Sequence, residues 1–188
     1  MTVCALLDAN VLYPSLLRDL LIRVSIEGGL RARWSEQILD ETFRSLAANR
    51  PDLAVSRLDR TRQLMNIAVP DASVRGFEHI IEQVHLPDPD DRHVLAAAIH
   101  ADAQIIVTNN LADFPAAQLE PFGIVAEHPD VTLSRCFDDD PARLRRVVGL
   151  IARATRSPPL DESGITDRML SGGLPRTASR LRGDTRCG

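Results

Sequence analysis

Five consecutive apolar residues, Val3-Cys4-Ala5-Leu6-Leu7, stop at a single carboxylate, Asp8. A strand with no polar alternation needs cover on both faces, which is the situation in the middle of a parallel sheet flanked by helices. The same constraint recurs at Ile105-Ile106-Val107-Thr108. Between the two runs the apolar period becomes helical. Pro14 opens a helix to Glu27, with Leu16, Leu17, Leu20, Leu21 and Val24 on its stripe and Gly28-Gly29 as its stop. Arg31 to Trp34 reads as a second strand, Ser35 as the N-cap of a helix over 36–49, and Pro51 as the start of a helix to Met65. Ile67 to Val69 is expected as a short strand and Val74 to Val84 as a helix. The Ala-rich stretch 91–101 is expected as another helix and Ile124 to Ala126 as a last strand. Strands alternating with helices define a three-layer α/β fold, a central parallel sheet flanked by helices.

After Pro129 the strand pattern ends. Residues 130–138 and 141–155 read as helices, the second with Leu144, Val147, Val148 and Ile151 on one side. Ser157-Pro158-Pro159 breaks the chain, a weaker helix is expected at 164–171 or 176–182, and Arg182 to Gly188 is expected to be disordered. The division is therefore an α/β domain over 1–128 and a helical C-terminal extension over 129–188.

Charge is distributed unevenly along the chain. Residues 1–134 hold 19 acids against 11 Arg, residues 135–188 hold 7 acids against 11 Arg, and the chain has no Lys. An acidic majority speaks against non-specific coating of DNA and suits a carboxylate cluster that requires cations. With only Trp34, Tyr13 and five Phe, the chain is poor in the rings that a base-stacking single-strand binder uses. Arg143, Arg145, Arg146 and Arg153 are candidates for holding RNA, for packing the extension on the core, or for a solvated helix face. Cys4, Cys136 and Cys187 lack metal-ligand spacing and read as reduced thiols, which together with the absence of a leader pattern or a membrane-length apolar run implies a cytoplasmic protein.

Ligands of parallel α/β sheets sit beyond the carboxyl ends of the strands, and a helix that precedes a strand begins on that same side. Asp8 ends the first strand. Asn110 and Asp113 follow the 105–108 strand, and Asp90 and Asp91 open the helix leading into it. Glu41 lies two turns into its helix and reaches toward the same rim, with Glu36 and Asp40 as nearby rivals. Two unit charges about 5 Å apart repel by roughly 3 kcal/mol at an effective dielectric near 20. A hard divalent cation removes that cost, and oxygen ligands select Mg²⁺ or Mn²⁺. Carboxylates with such a metal are suited to phosphoryl-ester hydrolysis. A haloacid-dehalogenase-type phosphatase would need a second acid where Asn10 stands, and no Gly-x-Gly-x-x-Gly follows the first strand for a dinucleotide binder.

Four segments in this order resemble the PIN-domain nucleases, especially the VapC-type toxins of bacterial toxin–antitoxin pairs. They are Leu6-Leu7-Asp8-Ala9-Asn10-Val11-Leu12, Trp34-Ser35-Glu36-Gln37-Ile38-Leu39-Asp40-Glu41, Leu86-Pro87-Asp88-Pro89-Asp90-Asp91-Arg92-His93-Val94-Leu95-Ala96-Ala97-Ala98, and Ile106-Val107-Thr108-Asn109-Asn110-Leu111-Ala112-Asp113-Phe114-Pro115. The resemblance covers about residues 2–127. It implies a PIN-like fold and a metal-dependent endoribonuclease that leaves 5′-phosphate and 3′-hydroxyl ends. It also implies Mg²⁺ or Mn²⁺ coordination by Asp8, Glu41, Asp91 and Asp113, with Asp8, Asp91 and Asp113 as direct ligands. Asn110 would support the site, while Asn10 and Thr108 organise loops or touch substrate. Asn110 stands where some relatives have an acid, so the fourth ligand is Asn110 or Asp113. The implied partners are RNA, a cognate antitoxin and a second copy of the chain. The alternatives are an inactive PIN-like scaffold for protein assembly and an RNA-processing nuclease that is not a toxin.

Overall fold

The computed structural model describes residues 2–183. Its elements are β1 (Cys4–Leu7), α1 (Ala9–Leu12), α2 (Ser15–Ile26), β2 (Arg31–Ser35), α3 (Glu36–Asn49), α4 (Val55–Ala68), β3 (Ser73–Val74), α5 (Glu78–Ile81), α6 (Arg92–His100), β4 (Ile105–Val107), α7 (Ala116–Leu119) and β5 (Val125–Glu127). Four helices complete the chain: α8 (Pro129–Asp139), α9 (Pro141–Ala154), α10 (Glu162–Ser171) and α11 (Pro175–Gly183). The five strands form one parallel sheet in the order β3-β2-β1-β4-β5. The α/β expectation therefore holds, with the two apolar runs as adjacent central strands. Every residue of β1 and β4 is buried, as double-sided cover requires.

This strand order has a switch point. From β1 the chain goes to β2 on one side, and it returns through α6 to β4 on the other side. The crevice between β1 and β4 at their carboxyl ends is where such sheets place ligands. The register sets Leu7 beside Val107, and the amide of Asp8 donates to the Val107 carbonyl at 3.1 Å. Asp8 and Thr108 thus emerge side by side. Helix α6 packs on β1, β2 and β4, through a run from His93 to Ala98 that is buried throughout. Its three alanines, Ala96 to Ala98, let the helix lie close to the sheet. Ser35 caps α3 as expected, accepting from the Ile38 amide at 3.1 Å, which contributes about 1 kcal/mol.

Several boundaries differ from the sequence reading. Pro51 does not open α4. Leu53 N–H turns back to the Arg50 carbonyl, and the Arg50 side chain is tied to Asp52, so residues 51–54 form a turn. Helix α4 continues through Ile67, whose side chain is 71% exposed on its outer side. The edge strand moves instead to Ser73–Val74, paired with Trp34 and Ser35. Gly76 at φ +81° blocks a helix from Val74 and confines α5 to Glu78–Ile81. Short helices α1 and α7 lie in stretches to which the sequence reading assigns no element. Both candidate helices near the C-terminus form, and Arg182 and Gly183 belong to α11 rather than to a disordered tail. The remainder of that stretch, 184–188, lies outside the described residues. Cys4 and Cys136 are free and buried, and no described helix is long and apolar enough to cross a membrane.

The four C-terminal helices pack on one another and reach the α/β layer through α9 on α2. Gly29 permits that approach, because an added Cβ would stand 2.7 Å from Val24 Cγ1 and 3.1 Å from Arg143 Cδ. Arg146 reaches Glu27 at 3.3 Å, Arg143 reaches Asp140 at 3.5 Å, and Arg145 lies over the Phe137 ring at 5.4 Å. Three of the four arginines singled out from the sequence therefore hold the extension together or to the core, and only Arg153 is simply exposed. A buried carboxylate closes the bundle. Asp130 accepts from the amides of Arg176 and Thr177 at 2.8 and 2.9 Å and from the Thr177 hydroxyl at 2.7 Å, capping α11 from α8.

Asp130→Ala should cost about 2–3 kcal/mol, since it strands two helix-start amides and a hydroxyl that lose a charged acceptor. Urea unfolding measures the loss. A change under about 0.5 kcal/mol would mean that this cap does not hold α11.

Candidate functional site

At the switch point one buried carboxylate organises two loops. Asp8 is 5% exposed. Its Oδ1 accepts from the Ala9 amide at 2.7 Å, so the residue also caps α1. Its Oδ2 accepts from the Thr108 hydroxyl at 2.8 Å and from Asn10 Nδ2 at 2.6 Å. Asn10 Nδ2 also donates to Thr108 Oγ1 at 2.9 Å, and that oxygen accepts the Asn110 amide at 3.0 Å. Asn109 completes a reciprocal clamp. Its amide donates to Asn10 Oδ1 at 2.9 Å and its side-chain NH₂ to the Asn10 carbonyl at 3.1 Å. The loops after β1 and β4, about a hundred residues apart in sequence, are thereby locked to each other.

Burial pushes the Asp8 carboxyl above its usual range. The bonds from Thr108 and Ala9 act against this, Glu41 adds to it, and His93 opposes it. Asp91 stands half-buried at the start of α6. Its carboxyl is pushed up to about 7, first by burial, then by the charges of Asp8, Asp113 and Asp88, and by a side-chain hydrogen bond with Asp113. Asn110 donates its side-chain amide to Asp113 Oδ2. All seven residues singled out from the sequence thus fall in one cluster: Asp8, Asn10, Thr108, Asn110 and Asp113 through hydrogen bonds, Asp91 through Asp113, and Glu41 through its charge on Asp8.

The rival acids have other occupations. Asp88 accepts the Asp90 amide at 2.9 Å and caps the turn before α6. Glu36 and Asp40 are both taken by Arg62 of α4 on the outer side of α3. Glu41 faces α6 instead, where its Oε1 lies 2.9 Å from His93 Nε2.

Sequence reasoning passed over two residues here. Asn109 stands in the fourth segment without an assigned role. His93 was given no role of its own in the sequence, yet it is 2% exposed and neither ring nitrogen makes a hydrogen bond. The Glu41 oxygen is near enough but stands off the N–H direction. A buried polar group left in this condition costs about 1–3 kcal/mol. The available signal was position: His93 follows Asp91 by two residues on the helix whose start carries the carboxylate.

Among the described residues, no three His, Cys, Asp or Glu side chains form a ready cage for a metal ion. The donor chemistry nonetheless fits a hard divalent cation. Asp8, Asp91 and Asp113 offer only oxygens, and the charges of Asp8 and Asp113 add to burial in favouring a proton on Asp91. A cation in place of that proton relieves the same repulsion.

Fold and site together define an α/β protein with a carboxylate cluster at the switch point of a parallel sheet. A family model described as PIN domain matches residues 4–112, and the chain belongs to the PIN-domain family. A second model, the VapC50 C-terminal domain, matches residues 129–183. The chain is similar to the "Putative ribonuclease VapC50" of Mycobacterium tuberculosis (strain ATCC 25618 / H37Rv), 37% identical over 92 residues. That alignment spans 49% of this chain and 54% of the relative, about half of each. No solved structure matches. The PIN match stops at residue 112, one short of Asp113, while the sheet continues beyond it through β5.

The raised Asp91 carboxyl predicts a pH-dependent stability. Between about pH 4 and pH 7 the folded chain keeps a proton that the unfolded chain has released. Stability measured with chelator should therefore fall as pH rises through that window. Asp91→Asn should flatten the fall and be the more stable protein at pH 8, by about 1–2 kcal/mol. This is well under the full 1.4 kcal/mol per pKa unit, because solvent reaches the group. Parallel unfolding curves for the two proteins at pH 4, 6 and 8 decide it. Equal slopes would mean that Asp91 does not carry the repulsion.

Proposed function

We propose that this chain is a metal-dependent endoribonuclease acting as the toxin of a toxin–antitoxin pair. The observation that carries the reading is the placement of Asp8, Asp91 and Asp113 together at the switch point, where burial first and then the charges of Asp8 and Asp113 push the Asp91 carboxyl up to about 7. A scaffold gains nothing from keeping like charges together at a cost in stability. An enzyme that needs Mg²⁺ or Mn²⁺ does. RNA as substrate is supported by the ribonuclease name of the VapC50 relative.

In this reading Asp8, Asp91 and Asp113 hold the cation, with Glu41 completing the acidic set. The bound metal supplies an activated water and neutralises charge developing on the phosphate. Thr108 and Asn10 keep Asp8 Oδ2 fixed, so the carboxylate does not have to reorient when a cation arrives. Asn110 holds Asp113 in the same way, which favours Asp113 as the fourth acid and Asn110 as its support. The start of α6 delivers Asp91 with little freedom, because the helix behind it is packed on three strands. Products with 5′-phosphate and 3′-hydroxyl ends are expected.

An antitoxin partner and a homodimer belong to the same reading. Ile26 on α2 and Val55, Leu64 and Ile67 on α4 are more than half exposed. Such apolar surface is costly to leave in water, and a protein partner would cover it.

Purified chain should cut structured RNA with Mg²⁺ or Mn²⁺, lose cutting in chelator, and lose at least about a hundredfold in Asp91→Ala. Mapping the ends of the fragments tests the cleavage chemistry. Metal-independent cutting, or cutting that Asp91→Ala keeps, would overturn the proposal. Failure of the wild type to cut tRNA, rRNA or mRNA, together with no heat of Mn²⁺ binding, would favour the scaffold.

A further inference from the structure

Among the four acids of the cluster, Glu41 is held least. Asp8 is fixed by three bonds and Asp113 by Asn110. Glu41 has a longer side chain, about a third exposed, and no ion pair among the described residues other than its approach to His93. Its neighbour Thr42 spends its hydroxyl on the Ile38 carbonyl at 2.9 Å, and Arg62 is taken by Glu36 and Asp40. A free glutamate on a helix surface would spread over several rotamers, most of them in solvent.

His93 is the opposite kind of group. Its ring is enclosed within α6 packing at 2% exposure, both nitrogens lack a hydrogen bond, and Nε2 is 2.9 Å from Glu41 Oε1. The ring cannot turn out to water for a partner. A small rotation of the Glu41 carboxylate brings it onto the Nε2–H direction and satisfies both groups at once.

We infer that His93 is the positioning residue for Glu41, its Nε2–H holding that carboxylate on the rim side of α3, where it faces the Asp8, Asp91 and Asp113 cluster. His93 does not touch substrate or metal in this role; it acts through Glu41. The role rests on the metal-site reading proposed above, and it makes α6 a double support, presenting Asp91 from its start and Glu41 through its first turn.

Mn²⁺ affinity measured by calorimetry at one fixed pH tests this with four variants. His93→Leu should weaken binding about tenfold, as loss of a ligand's outer partner does. His93→Gln places an N–H near the position of Nε2 and should stay within about threefold of wild type. Adding His93→Leu to Glu41→Gln should weaken binding no further than Glu41→Gln alone. Wild-type affinity in His93→Leu, equal losses in the Gln and Leu variants, or additive losses in the double variant would each overturn the inference. A second readout needs no metal and covers a His93→Leu chain that fails to fold. Two-bond ¹⁵N–¹H correlation spectra with chelator should place the His93 proton on Nε2, and Glu41→Gln should shift that nitrogen. A proton on Nδ1, or a spectrum indifferent to Glu41→Gln, counts against the pairing. If wild type binds no Mn²⁺, the nuclease reading fails, and the spectra alone judge the His93–Glu41 contact.

Discussion

One buried carboxylate has to be satisfied before the rest of this molecule makes sense. Asp8 leaves the central strand at a point where apolar residues surround it on both faces, and an ionised carboxylate there is costly without donors. The fold supplies them from both sides of the crevice: the Ala9 amide at the start of α1, and the Thr108 hydroxyl and the Asn10 amide across the β1–β4 gap. Those bonds do two things. They stabilise Asp8, and they weld the two loops that carry the remaining polar groups of the rim. The Asn10–Asn109 clamp tightens the same joint. Remove the carboxylate and the loops lose their common anchor.

The other acids are arranged around that anchor at a net cost. Burial first, then the charges of Asp8 and Asp113 and a side-chain hydrogen bond with Asp113, push the Asp91 carboxyl up to about 7. This is stored repulsion, relieved by a proton or by a cation. The chain accepts it where packing is dense, under α6 and between two fully buried strands. A more flexible frame would let the carboxylates move apart.

The C-terminal helices solve a separate problem. Their arginine content suggests a nucleic-acid surface, yet Arg143, Arg145 and Arg146 are occupied by Asp140, Phe137 and Glu27. The extension is joined to the α/β layer by packing of α9 on α2 and is closed on itself by Asp130 under α11. The match to the VapC50 C-terminal domain covers these helices, residues 129–183.

Local signals in the sequence determined the two central strands, the parallel sheet, the helix over 36–49 with its Ser35 cap, and the gathering of Asp8, Asp91, Asn110 and Asp113 on one rim. These follow from apolar period, capping chemistry and the rule that a parallel sheet gathers its loops at one end, all of which act over a few residues. Local signals misled at Pro51, Ile67 and Val74, where a turn tied by Arg50 and Asp52, an exposed helix side and a positive φ at Gly76 overrode propensity. Tertiary structure alone decided which acids face the site. Glu36, Asp40 and Glu41 are alike in sequence, and only the placing of Arg62 against one side of α3 and His93 against the other separates them. It also decided that burial and neighbouring acids raise the Asp91 carboxyl and that His93 is buried beside Glu41. Repulsion and desolvation depend on distances between groups that the chain brings together from far apart, and no spacing along the sequence encodes them.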